Sequence, residues 1–203
     1  MKIICAGRNY VEHARELHND LPAEPVLFMK PKTALLQPGR PMYYPDFTGN
    51  LQYECELVVR ISKNGKHIEE RFARKYYDTV ALGIDFTARD VQDRLKGARL
   101  PWEIAKAFDG SAAVGKFVPL REDRNINNLS FRLLRNGHTV QEGNTGHMIF
   151  PVDTLIAYAS RFFSLNIGDL VFTGTPAGVG PVQVHDVLEG FLEEEQVLRV
   201  EIR

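Results

Sequence analysis

Residues 51–62, LQYECELVVRIS, constrain the fold more than any other stretch of the chain. Leu51, Tyr53, Cys55, Leu57, Val59 and Ile61 recur at every second position. In an extended strand successive side chains point to opposite sides, so these six share one apolar face. The other face carries Gln52, Glu54, Glu56, Val58 and Arg60. The pattern requires a sheet with at least one buried side. It also sets two glutamates next to each other, and neighbouring anions repel unless a cation lies between them.

Further strands surround this one. KIICAG (2–7) reads as a short strand ending in glycine, and YYDTVALGIDFT (76–87) as a longer one. Asn64-Gly65 is a turn signal between the glutamate strand and the next. NLSFRLLRNGHTVQEG (128–143) reads as a hairpin with Asn136-Gly137 at its tip. GDLVFTGTPAGVG (168–180) is a strand followed by a glycine-rich loop, and QVLRVEIR closes the chain as a strand. Glu193–Glu195 read as a solvated turn. Six prolines between residues 22 and 45 argue for loops and edge strands there. Helices are few. YVEHARELHND (10–20) and ARDVQDRLKGA (88–98) have helical character, with Thr87 a candidate cap for the second. LPWEIAKAFDG holds a short turn of helix. Val152, Leu155, Ile156, Ala159, Phe162 and Phe163 recur at helical spacing. These elements predict a mostly β, mixed α+β domain, a curled sheet or roll with few short helices.

The chain's 203 residues suit one domain, taken here as a single unit over 1–203. Hydrophobic residues at 44% and charged residues at 25% give a globular balance. A formal net charge of −1 gives no electrostatic reason to expect nucleic acid or an anionic membrane as partner. No apolar run approaches the roughly 20 residues of a membrane span, and MKIICAGRNY is too short an apolar start for a signal peptide. Cys5 and Cys55 belong to no CxxC or Cys/His cluster, which points to a reducing cytoplasm.

Glu54, Glu56 and Asp85 are the chemically suggestive group. Asp85 ends the apolar strand ALGID, where a lone carboxylate is costly to bury. Three carboxylates without histidine or cysteine form an all-oxygen set that suits Mg²⁺ or Mn²⁺, with Ca²⁺ an alternative. Residue pattern alone leaves a second reading open, in which the two glutamates are the solvated side of an amphipathic strand. His13 and Glu16, three apart on one helix face, have the form of a general-base pair, and also of an ordinary surface contact. His18, one turn on, is a rival histidine.

The motifs, in order, resemble the fumarylacetoacetate hydrolase family, in particular its short members of the acylpyruvate hydrolase and oxaloacetate decarboxylase type. CAGRNYVEHARE, FMKPKTAL, YECELVVRI, GIDFTARDVQ, LPWEIAKAFDG and GDLVFTGTPAGVG carry the likeness over nearly the whole chain. VHDVLEGFL departs from it, with His185 where relatives often have glycine. The resemblance implies the family's β-roll, and no extra N-terminal domain before the first motif. It implies Glu54, Glu56 and Asp85 as metal ligands, His13, Glu16 and Lys106 as catalytic residues, and Arg8, Arg89, Gln92 and Thr175 as substrate contacts. Thr175 would offer its N–H or hydroxyl to a carboxylate, and Arg89 a charged fork. The implied cofactor is Mg²⁺ or Mn²⁺ and the substrate a small 2-oxo acid, bound without nucleic acid or membrane. The implied reaction is hydrolysis of a C–C bond in an acylpyruvate to release pyruvate. Alternatives are oxaloacetate decarboxylation, or isomerisation or dehydration of keto acids. A homodimer is also implied, with PVLFM and PMYYP as contact surfaces. The short polar helix at 10–20 is expected to act as a lid.

Overall fold

The computed structural model describes residues 1–16, 20–120 and 124–203. Its strands are β1 (Ile3–Gly7), β2 (Val26–Lys30), β3 (Leu51–Tyr53), β4 (Cys55–Ile61), β5 (Tyr77–Asp85), β6 (Thr87–Ala88) and β7 (Ala112–Val114), followed by β8 (Val118–Pro119), β9 (Ser130–Arg135), β10 (His138–Asn144), β11 (Leu170–Phe172), β12 (Gly180–Pro181), β13 (Val187–Leu192) and β14 (Glu195–Glu201). The α-helices are α1 (Val11–Glu16), α2 (Glu70–Ala73), α3 (Arg89–Gly97), α4 (Glu103–Lys106) and α5 (Val152–Phe162). The architecture is mostly β, mixed α+β, as the strand pattern predicts.

A seven-stranded sheet runs β2-β1-β11-β4-β5-β7, with β8 also paired to β5. Within it β1 and β11 are parallel and the other pairings antiparallel. A second sheet runs β10-β9-β13-β14, and a short third one β12-β3-β6. The main core gathers Leu57, Val59, Leu82 and Ile84 of the first sheet with Phe131, Leu133, Leu188 and Leu198 of the second.

The single strand expected over 51–62 is two strands. β3 pairs with β6 and β12, whereas β4 pairs with β5 and β11, and the chain changes sheet at Glu54. The alternation survives the break, with Leu51 through Ile61 of the apolar face all in the main core. Val58, on the opposite face, packs with Ile3, Cys5 and Phe172 in a second cluster. Both faces are therefore covered. Glu54 and Glu56 are 5% and 2% exposed, which rules out the solvated-face reading.

Other local expectations divide. The hairpin β9–β10 turns at Asn136-Gly137 with φ of 53° and 80°, the left-handed pair of a type I′ turn. Asn64-Gly65 makes no tight hairpin. Gly65 bridges to Leu165, and the chain passes through α2 before returning as β5. Thr87 does not cap α3, because its hydroxyl turns back to the Asp85 carbonyl at 3.2 Å. Asp90 takes up a first-turn donor instead, the Val91 N–H at 2.9 Å, and also accepts the N–H of Gly49 in the loop before β3 at 2.9 Å. Phe162 faces solvent despite its spacing, while Phe163 packs on the core. His185 has a φ of 78°, the region that favours glycine. Among the described residues no helix is long and apolar enough to cross a membrane.

Candidate active site

Glu54 lies between β3 and β4, Glu56 is the second residue of β4, and Asp85 stands at the end of its antiparallel neighbour β5. The Asp85 N–H donates to the Glu54 carbonyl at 2.8 Å, fixing the two strand ends to each other. One carboxylate oxygen from each residue lies within 4.8 Å of the others, and Asp85 is 1% exposed. Such a cluster needs positive charge close by. Lys106, delivered by α4, donates to Glu54 Oε2 at 2.7 Å and to Asp85 Oδ2 at 2.8 Å. Lys30 Nζ lies 2.6 Å from Asp85 Oδ1, and Arg89 Nη2 donates to Glu54 Oε1. Glu56 has no cationic partner among the described residues; it accepts the Gly174 N–H at 2.7 Å.

The electrostatics follow from this uneven sharing. Burial pushes the Glu54 carboxyl up, but Lys106 and Arg89 outweigh it and hold the group well below the usual range. Burial pushes Glu56 well above that range, and Asp85 and Glu54 push the same way. For Lys106 burial alone would favour the neutral amine, yet Asp85 and Glu54 raise it above the usual lysine value. Asp85 Oδ1 touches Lys30 as an ion pair but accepts no well-directed hydrogen bond. A buried all-oxygen set with one carboxylate unmatched by a cation fits a hard divalent ion.

A cavity of about 40 Å³ opens over the carboxylates, and Arg8, His13, Arg89, Gln92, Lys106 and Thr175 line it. The structure thus brings nearly every residue expected at the site into one place. Glu16 stands behind His13, with Oε2 3.1 Å from its Nδ1 and Oε1 accepting the Gly178 N–H at 3.0 Å. His18 lies outside the described residues. Two roles narrow. The Thr175 hydroxyl donates to the Cys55 carbonyl at 2.8 Å, which leaves its N–H for a ligand. Arg89 is engaged with Gln52, Gln92 and Glu54 rather than standing as a free fork. Gln92 accepts from Arg89 through Oε1 and lines the cavity.

Other contributors, several of them inside the motifs that carry the family likeness, had no individual role assigned from the sequence. Lys30 ends an edge strand, where a lysine ordinarily points to water, yet it is 1% exposed. Asn9 is buried, and its side chain holds Phe150 and Thr173 through three hydrogen bonds of 2.8–3.0 Å. Gly174 has a φ of 94°, and a Cβ there would lie 2.7 Å from that of Asn9. Only glycine lets this backbone approach and aim its N–H at Glu56. Lys96 and Trp102 complete the cavity wall, and Gln141 stands just behind it. A larger cavity of about 560 Å³, lined by Met29, Phe47, Ile104 and Phe108 among others, is apolar and holds none of these groups.

Comparison with known proteins identifies the family. The family model described as fumarylacetoacetate (FAA) hydrolase C-terminal matches residues 2–203. A mitochondrial oxaloacetate tautomerase of Bos taurus is 44% identical over 92% of this chain and 85% of its own. A mitochondrial oxaloacetate decarboxylase of Dictyostelium discoideum is 39% identical over 93% of this chain and 87% of its own. The crystal structure of fumarylpyruvate hydrolase from Pseudomonas aeruginosa, in complex with Mn²⁺ and pyruvate, superimposes with a TM-score of 0.93. It is 38% identical and covers 100% of this chain and 89% of its own. The chain belongs to the fumarylacetoacetate hydrolase family of enzymes.

Proposed function

We propose that this chain is a divalent-metal-dependent enzyme of small 2-oxo acids that makes and holds an enolate beside the keto group. The observation that carries the reading is Glu56, a buried carboxylate beside two others with no cation of its own. Glu54, Glu56 and Asp85 would hold the metal, Mg²⁺ or Mn²⁺. When bound, that ion polarises the keto oxygen as a Lewis acid. His13, oriented by Glu16 through Nδ1, presents Nε2 as the base. Lys106 supplies positive charge near the developing enolate oxygen. The Thr175 N–H, the Gln92 amide and Arg8 hold the substrate carboxylate.

Oxaloacetate is the substrate that this arrangement and the named relatives favour together. His13 removes a proton from C3, and the enolate is then reprotonated on oxygen or carbon, which is keto–enol exchange. Loss of the C4 carboxylate as CO₂ leads to an enolate by breaking a bond instead. A second reading, hydrolysis of an acylpyruvate, draws support from the His13–Glu16 pair, which can also activate water, and from the fumarylpyruvate hydrolase likeness. In this proposal residues 1–203 act as one catalytic unit, the described part of the expected lid, α1 (Val11–Glu16), covers the cavity, and two copies pair through segments such as PVLFM and PMYYP. Tyr43 in the latter is 68% exposed. Buried, unpaired Cys5 and Cys55 suit a reducing compartment such as the cytoplasm.

The test is a parallel assay of the purified protein with oxaloacetate and acetylpyruvate. Keto–enol exchange and product formation are followed by NMR with Mn²⁺, with Mg²⁺ and after chelation. Metal-dependent turnover of oxaloacetate supports the first reading, and faster turnover of acetylpyruvate the second. Turnover untouched by chelation overturns both.

A further inference from the structure

We propose that Gln141 is a positioning residue that fixes the spacing of the acidic triad and links it to the loop carrying Thr175. The proposal rests on the metal-dependent reading above. Gln141 belongs to the hairpin β9–β10, outside the strands that bear the carboxylates. It is 2% exposed, the one fully buried residue of β10. The β9–β10 register shifts between Thr139 and Gln141, a bulge that turns this side chain inward.

There its amide spans two elements of the site. Oε1 accepts the Cys55 N–H at 2.9 Å. Nε2 donates to Thr175 Oγ1 and to the Pro176 carbonyl, each at 2.9 Å. The Thr175 hydroxyl in turn donates to the Cys55 carbonyl at 2.8 Å. The bonds form a ring that engages both backbone polar groups of Cys55. Cys55 is the residue between Glu54 and Glu56, at the point where the chain changes sheet. Fixing its N–H and C=O fixes the peptide planes on either side, and with them the directions of both glutamates. An ordinary strand would leave this to a regular ladder, but the ladder is interrupted here. The same ring holds the loop whose Gly174 N–H meets Glu56 and whose Gly178 N–H meets Glu16. Gly178 packs close to the bulge: a Cβ there would lie 2.6 Å from the Val140 carbonyl. One glutamine therefore joins the acidic triad, the Thr175 loop and the support of His13.

Groups that hold metal ligands in place typically change metal affinity about 10–100-fold when removed. Gln141→Met keeps the length of the side chain and removes every bond of the ring that it makes. Thr175→Val keeps shape and breaks the ring at its other link, while leaving the Thr175 backbone N–H. Ile156→Ala, in the core under α5, lowers stability at a residue outside the ring and outside the β9–β10 hairpin. The experiment is calorimetric titration of each protein with Mn²⁺ alone, with melting temperatures measured alongside. The expected result is at least about a tenfold rise in Kd for Gln141→Met and for Thr175→Val, with Ile156→Ala unchanged. Equal Mn²⁺ affinity in wild type and in whichever of the two ring variants folds overturns the role of Gln141 and leaves the functional reading intact. A parallel loss in Ile156→Ala reduces the effect to general stability and also overturns it. Absence of Mn²⁺ binding by the wild type overturns the functional reading and this inference with it.

Discussion

Lys30 Nζ lies 2.6 Å from Asp85 Oδ1, with both side chains sealed from solvent. The lysine also donates to Ser111 Oγ at 3.0 Å and to the Ser111 carbonyl at 3.1 Å. It further donates to the Lys106 carbonyl, so the two lysines that face Asp85 are joined. Removing one partner of a buried ion pair leaves a charge without compensation and costs about 3–5 kcal/mol. Lys106 still faces Asp85 in Lys30→Met, so a loss of about 3 kcal/mol is expected from urea unfolding of the metal-free protein. A loss below about 1 kcal/mol would show that Lys30 does not neutralise Asp85.

Glu56→Gln keeps the shape of the ligand and removes its charge. Mn²⁺ affinity and turnover should both fall by at least about tenfold. The metal-free fold should hold or gain stability, because Glu56 repels Asp85 and Glu54 and Lys106 offsets only part of this. Full activity across a Mg²⁺ titration would remove Glu56 from the ligand set.

Stability should depend on pH through the same residue. Burial first, then Asp85 and Glu54, raise the Glu56 carboxyl in the folded state. Between its unfolded and folded pKa values the native state keeps a proton that the unfolded state has lost. Its contribution is therefore complete at low pH and lost as pH rises through the folded value. Glu54, held low by Lys106 and Arg89 against its burial, acts in the opposite direction and loses its contribution as pH falls. The melting temperature of the metal-free protein, scanned from about pH 5 to about pH 8, should decline relative to that of Glu56→Gln. Saturating Mn²⁺ should displace the proton and reduce the decline. Matching pH profiles for the two metal-free proteins would reject this account.

His13 separates the reactions proposed for the site. As the base it is worth about 10²–10⁴-fold wherever a proton must be removed. His13→Ala should lower oxaloacetate keto–enol exchange and acylpyruvate hydrolysis by about that factor, with decarboxylation much less affected because no proton is abstracted in it. Glu16→Gln should follow with a smaller loss, since it orients the ring. Lys106→Ala should impair all three. Equal losses in every reaction for His13→Ala would make α1 a cover for the cavity and nothing more.

Alternation, turn residues and helical spacing by themselves determined β1, β5, β11, β14, the Asn136-Gly137 hairpin and α5, because each depends on neighbours close in sequence. The same alternation set Glu54 and Glu56 on one side. It did not decide what covers that side. Ile3, Cys5 and Phe172 close over Val58 from strands far along the chain, so the glutamates are buried. The break at Glu54 was also invisible, since alternation runs through it unchanged while the pairing partners switch. Family likeness named most of the residues around the cavity. Lys30 stands in the motif FMKPKTAL but with no role attached, and Gln141 lies outside every motif: a lysine ending an edge strand and a glutamine on a strand otherwise exposed or half-buried ordinarily face water. Only the tertiary structure turns them inward, one by packing its strand so that Nζ reaches Asp85, the other by a one-residue bulge. Burial of a polar side chain depends on distant partners that supply its hydrogen bonds, and local sequence does not contain them.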